Sequence, residues 1–202
     1  MNAVFRPTLI LFLILAVMTG VIYPLVVTGV SQLLFPRQAA GSLIVSGGQV
    51  RGSSLIGQSF TDPRHFWGRP SATSPQPYDG LASGGSNQGP LNPALTDAVA
   101  ARVKALHAAD PGNTGPVPVD LVTASASGLD PDISVAAAVY QAPRVARLRG
   151  LPIEAVRKLI ATHAQGRLLG MIGEPRVNVL ELNLVLDATA AAGKRVSQAK
   201  ME

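Results

Sequence analysis

The chain has no cysteine, few charges and few aromatic rings. Without cysteine there are no disulfides, no thiolate nucleophile and no cysteine-based metal or cluster site. Charged residues are 14% of the 202 positions, well below the roughly one quarter of ordinary soluble domains. Aromatics are 4%, with a single tryptophan, so the core must be packed mainly by Ala, Val and Leu. The net charge is +5, but the excess is not spread as a nucleic-acid partner would need. Residues 38–141 carry five basic and seven acidic groups, and residues 168–202 carry four of each. Only residues 142–167 are basic, with six cations against Glu154 and no interleaved aromatics. Nucleic acid is therefore not expected as a partner.

The missing charge is concentrated at the N-terminus. Thirty residues between Arg6 and Arg37 carry none, and Leu9–Phe35 is an almost unbroken apolar run. About 20 apolar residues cross a bilayer as a helix, which satisfies its own backbone hydrogen bonds. The run is about twice the length of a signal-peptide core, and Arg37-Gln38-Ala39-Ala40 is a poor cleavage site. An uncleaved anchor is expected over residues 7–36, kinked at Pro24, with Ala16 and Gly20 as a small-residue pair for close helix approach. Residues 1–6 then form a cytoplasmic tail. Residues 37–202 form one extracytoplasmic domain, because large domains translocate largely regardless of their charge. Lipid is thus an expected partner.

The remainder reads as α+β. A short hairpin is expected at Leu43–Val45 and Gln49–Arg51 around Gly47-Gly48. From Asp62 to Pro93, six prolines and five glycines exclude helix and long strand, giving a long Gly/Pro-rich loop. Phe66, Trp67, Arg69, Tyr78 and Asn87 punctuate it, as in an ordered, packed loop. Asn92-Pro93 starts a helix carrying Leu95, Val99, Val103 and Leu106. Residues 110–118 form a loop, Val117–Thr123 a short strand and residues 127–132 a turn. Ser134 caps a helix carrying Val135, Val139 and Leu148, bent at Pro143 and ended by Gly150. Pro152 opens a helix with Ile153, Val156, Leu159 and Ile160 on one face. Residues 177–192 fit strand and helix in turn, read as a strand start passing into a helix. The last ten residues are expected to fray.

No catalytic or metal set assembles. His65, His107 and His163 stand apart, without a second His or acid at ligand spacing. Ser83-Gly84-Gly85-Ser86 and Gly47-Gly48 lack the lysine and strand–helix context of a phosphate loop. Ser125 and Ser127 have no nearby histidine base. Asp130 and Asp132, beside Gly128 and Pro131, read as turn and capping residues. From the residues alone, a membrane-held subunit competes with a tethered extracytoplasmic hydrolase and with a tethered binding module.

Six segments carry a resemblance. They are LIGQSF (Leu55–Phe60), FWGRPSAT (Phe66–Thr73), SGGSNQGPLNP (Ser83–Pro93), PVDLVTASASGLDPDIS (Pro118–Ser134), YQAPRVARLRG (Tyr140–Gly150) and GEPRVNVLELNLVLD (Gly173–Asp187). Together, in this order, the chain resembles the C subunit of the Kdp potassium pump, a P-type ATPase complex. Ala126 and Gln88 depart from the family's usual glycine and leucine. The resemblance implies an inner-membrane accessory subunit, without catalysis or a cofactor of its own, in a complex that uses ATP and K+. Its partners would be a channel-like potassium-binding subunit and a P-type subunit that hydrolyses ATP. It would act in assembly and as a catalytic chaperone raising that subunit's affinity for ATP. Gln141 is the residue to which the resemblance attaches nucleotide contact. Topology sets the domain outside and ATP inside. It also suggests a cap over the outer ion entrance, with Asp62, Asp79 and Asp130 collecting cations.

Overall fold

The computed structural model describes residues 2–199, which divide into two compact units between Ser53 and Ser54.

In the first unit, helix α1 (Asn2–Val17), a π-helical turn (Met18–Ile22) and helix α2 (Tyr23–Leu34) run on without a break. Val4–Leu34 is 31 residues, long and apolar enough to cross a membrane. The hydroxyls of Thr8 and Thr19 donate to the carbonyls of Val4 and Leu15, so neither is left unsatisfied among apolar neighbours. The irregularity expected at Pro24 lies one turn earlier. Tyr23 N–H reaches back to the Met18 carbonyl, an i→i−5 bond. The widened turn accommodates a ring that cannot donate its own bond. A short helix α3 (Pro36–Ala39) leads into the hairpin of β1 (Leu43–Ser46) and β2 (Gln49–Ser53). Gly47 and Gly48 both take positive φ, as a two-residue hairpin turn requires.

In the second unit, residues 54–92 contain no helix or strand. Helix α4 (Pro93–Ala109) then starts as its sequence dictates, with Asn92 Oδ1 accepting from Ala94 N–H at 3.0 Å. Strands β3 (Asp132–Ser134), β4 (Ala164–Gln165) and β5 (Arg176–Asn178) form a small antiparallel sheet in the order β3-β5-β4. Helices α5 (Val135–Arg149), α6 (Ile153–His163) and α7 (Val179–Ala199) complete the unit. Ser134 caps α5 by accepting from Ala137 N–H, and Gly150 ends it in the left-handed conformation. The expected strand-to-helix passage occurs between Asn178 and Val179, with Asn178 Oδ1 accepting from Glu181 N–H.

Three expectations change. Val117–Thr123 is not a strand but a 3₁₀ turn at Val119–Leu121. Pro116 and Pro118 supply no backbone donors, and Leu121 and Val122 are both buried, which alternation along a half-buried strand forbids. Of the apolar residues expected along α5, only Val135 packs against the core. Val139 and Leu148 are exposed, and Ala137, Ala138, Ala142, Val145 and Ala146 are buried instead. Small side chains there let α6 and the sheet approach closely. Finally, α7 continues through Ala199, beyond the start of the expected frayed end; residues 200–202 lie outside the described residues.

The core gathers Phe66, Ile133, Val145, Val156, Ile160, Val177, Leu182 and Leu186. Phe66 comes from the irregular segment, so burying that ring requires fixing the backbone on either side of it.

Candidate functional site

Two side-chain amides fix that backbone. Asn183 on α7 accepts from Phe66 N–H at 2.9 Å and donates to the Phe66 carbonyl at 3.0 Å. Gln141 on α5 treats the next residue the same way, accepting from Trp67 N–H at 2.8 Å and donating to its carbonyl at 3.1 Å. Each amide thus completes the donor and acceptor of one residue, as a neighbouring strand would.

Arg144 extends the clamp. It is 2% exposed and donates to the carbonyls of Pro63 and His65 and to Gln141 Oε1 at 2.7 Å. Its guanidinium lies 4.5 Å from the Trp67 ring centroid, in cation–π contact. Burial pushes the Arg144 pKa down to about 10, with Asp110 opposing. Arg149 Nε donates to the Arg64 carbonyl at 2.7 Å and pairs through Nη1 with Asp187. His65 Nε2 meets the same carboxylate at 3.2 Å. Asp62 closes a turn onto Arg64, whose hydrogen bonds hold the Asp62 carboxyl well below the usual carboxylate range. The carbonyls of Pro63, Arg64, His65, Phe66 and Trp67 therefore all accept from side chains.

Beyond the clamp, Arg69 pairs with Asp130 at 3.0 Å, and the Tyr78 hydroxyl donates to the Arg69 carbonyl. Burial, with the Asp130 charge adding to it, pushes the Tyr78 pKa up to about 12. Residues 125–129 thread through this region. Ser125 N–H donates to Pro70, Gly84 N–H to Ser127, and Gly57 N–H to Leu129. Gly128 sits at φ +68° where the chains cross, and the Ser71 hydroxyl donates to its carbonyl at 2.7 Å.

The other sequence candidates, His107 apart, have structural partners. Asp130 caps Asp132 N–H as well as pairing Arg69, and Asp132 pairs Arg176 at 2.8 Å. Burial raises the Asp132 pKa against that partner. His163 Nδ1 lies 2.9 Å from the Leu159 carbonyl, and His107 is exposed on α4. Ser127 accepts from Leu129 N–H through its hydroxyl. Of the three acids considered as cation collectors, Asp62 and Asp130 are engaged by arginines, and Asp79 accepts from Leu81 N–H. Among the described residues no group of three or more His, Asp or Glu could hold a metal ion.

The resemblance singled out Gln141, and the reading of the residues missed Arg144 and Asn183. Their signal was polarity inside apolar patterns: Arg144 one turn after Gln141 in an alanine-rich stretch, Asn183 amid Val179–Leu186. Gln141 is 1% exposed, and its four hydrogen bonds go to Trp67, Ala137 and Arg144. An external ligand at this side chain would have to displace one of them.

The three segments joined by the clamp are FWGRPSAT, YQAPRVARLRG and GEPRVNVLELNLVLD, each part of the resemblance. Residues 5–188 match the profile of the family described as KdpC: K+-transporting ATPase, c chain. The chain belongs to that family. It is 70% identical to the Potassium-transporting ATPase KdpC subunit of Variovorax paradoxus over 192 residues, covering 95% of this chain and 100% of that one. The corresponding subunit of Polaromonas naphthalenivorans is 68% identical over 93% of this chain and 96% of its own. That of Methylococcus capsulatus is 64% identical over 91% and 97%. The family match takes in the apolar helix, the irregular segment and the clamp together.

Proposed function

We propose that the chain is a non-catalytic, single-pass subunit of an ATP-driven potassium importer in the cell inner membrane. Its N-terminus is cytoplasmic and its domain periplasmic. Its partners are the channel-like potassium-binding subunit and the P-type subunit that hydrolyses ATP. It acts in assembly and as a chaperone that raises the ATP affinity of the hydrolysing subunit. The observation that carries this reading is the use of the buried polar side chains. Gln141, Arg144 and Asn183 are spent on positioning residues 63–67 of the chain itself.

A segment fixed so thoroughly can serve as a docking surface at little further entropic cost on binding. Beyond the clamp, Leu81 is 100% and Leu91 97% exposed, and the turn Leu168–Ile172 presents four large apolar side chains. Such side chains suit contact with partner subunits. ATP then lies across the bilayer from Gln141. In this reading Gln141 positions Trp67, and the effect on nucleotide passes through the partner subunits as a coupling free energy.

The test is extraction in mild detergent through a tag on this chain. Two larger membrane proteins should accompany it in fixed proportion, with potassium-stimulated ATPase activity. The same complex prepared without this chain should need severalfold more ATP for half-maximal rate. Recovery of the chain alone would support a tethered hydrolase or binding module instead.

A further inference from the structure

A cavity of about 420 Å³ lies beside the clamp. Phe60, Trp67, Leu106 and Leu121 contribute apolar wall, and Arg69 and Arg102 contribute the charge. Its shape does not wait for a ligand. Gln141 holds Trp67, the Tyr78 hydroxyl holds the Arg69 carbonyl, and Trp67 Nε1 donates to the Asp62 carbonyl at 3.0 Å. A preformed, mostly apolar pocket with a few convergent polar groups is the usual form of a small-ligand site.

The charge of the pocket selects the ligand. No carboxylate lines it. Arg69 is already neutralised by Asp130. Arg102 donates one bond, to the Val122 carbonyl at 2.7 Å, and has no ion pair among the described residues. Its partial burial lowers its pKa, as expected of a guanidinium taken from water without a counter-ion. One uncompensated positive charge calls for a monoanion, and a planar guanidinium matches a carboxylate in a two-pronged fit.

We infer that this cavity binds a carboxylate borne on an apolar body, paired with Arg102 and packed against Trp67. The inference does not depend on the subunit reading above. The carboxylate can come from a free acid or from an acidic residue of a partner chain.

Trp67 is the only tryptophan in the sequence, so its emission reports the cavity directly. The purified full chain in detergent is titrated with 3-phenylpropanoate and, separately, with its neutral amide. The acid should give a saturable change in emission, and the amide should bind about tenfold more weakly or worse. Arg102→Met should cost the acid a similar factor, and Arg102→Lys should recover part of it. Equal response to acid and amide, or no response to either, overturns the inference on the unaltered chain, whatever the variants do to folding. The source is read on immobilised complex. Release of this chain by excess acid, not by amide, identifies a partner's carboxylate. Binding without release identifies a free acid.

Discussion

Arg144→Ala is expected to destabilise the second unit by about 3–5 kcal/mol, near the upper end for a point substitution. Two buried carbonyls, of Pro63 and His65, lose their donor at once, and Gln141 Oε1 loses one of its two and keeps Trp67 N–H. Leaving a buried acceptor unsatisfied costs about 1 kcal/mol or more, and the partly desolvated cation–π contact with Trp67 adds about 1 kcal/mol. The remainder is lost packing of a fully buried side chain. Arg144→Lys should recover less than half. One ammonium cannot span the three acceptors that the planar fork reaches, nor stack on the ring as well. Urea unfolding of the full chain in detergent, followed by Trp67 emission, measures both. A cost below about 1 kcal/mol for the alanine variant would mean that the clamp contributes little.

Gly128→Ala should cost about 2–4 kcal/mol through a different mechanism, backbone geometry with overpacking. At φ +68° any L side chain is strained, and the added Cβ would stand 2.5 Å from Thr73 Cγ2 and 2.7 Å from the Gly84 carbonyl oxygen. Neither neighbour is free to yield. Thr73 Oγ1 donates to Gln76 and accepts from Asp79 N–H, and Gly84 N–H is bonded to Ser127. The same unfolding assay applies. Stability within about 0.5 kcal/mol of the parent would show that the crossing of residues 71–73, 84 and 128 relaxes easily.

The ease of reading this fold from its sequence follows from where its signals lie. Local signals were legible. Asn92, Ser134 and Gly150 are caps whose chemistry acts within a few residues, and the structure uses each of them. The apolar face of α6 was legible because its period is unbroken, and Val156 and Ile160 are buried as that period requires. The face of α5 was misread because its buried side, Val145 apart, is alanine, glutamine and arginine, a pattern that periodicity ranks below valine and leucine. Val117–Thr123 was misread because local β preference was counted without the buried pair Leu121 and Val122. The clamp was legible only in part. Its pairs are 74 and 117 residues apart in sequence, and no short-range rule joins Gln141 to Trp67 or Asn183 to Phe66. The resemblance marked the same segments without supplying the contacts.

The central claim is that the domain stands on the opposite side of the membrane from ATP and acts through its partners. The absence of cysteine makes this directly measurable. Glu154 on α6 has a side chain 74% exposed and lies outside the irregular segment. Glu154→Cys in otherwise unaltered chain is treated with a membrane-impermeant maleimide on intact spheroplasts. The account predicts full labelling before lysis; labelling that appears only after the membrane is opened would contradict it.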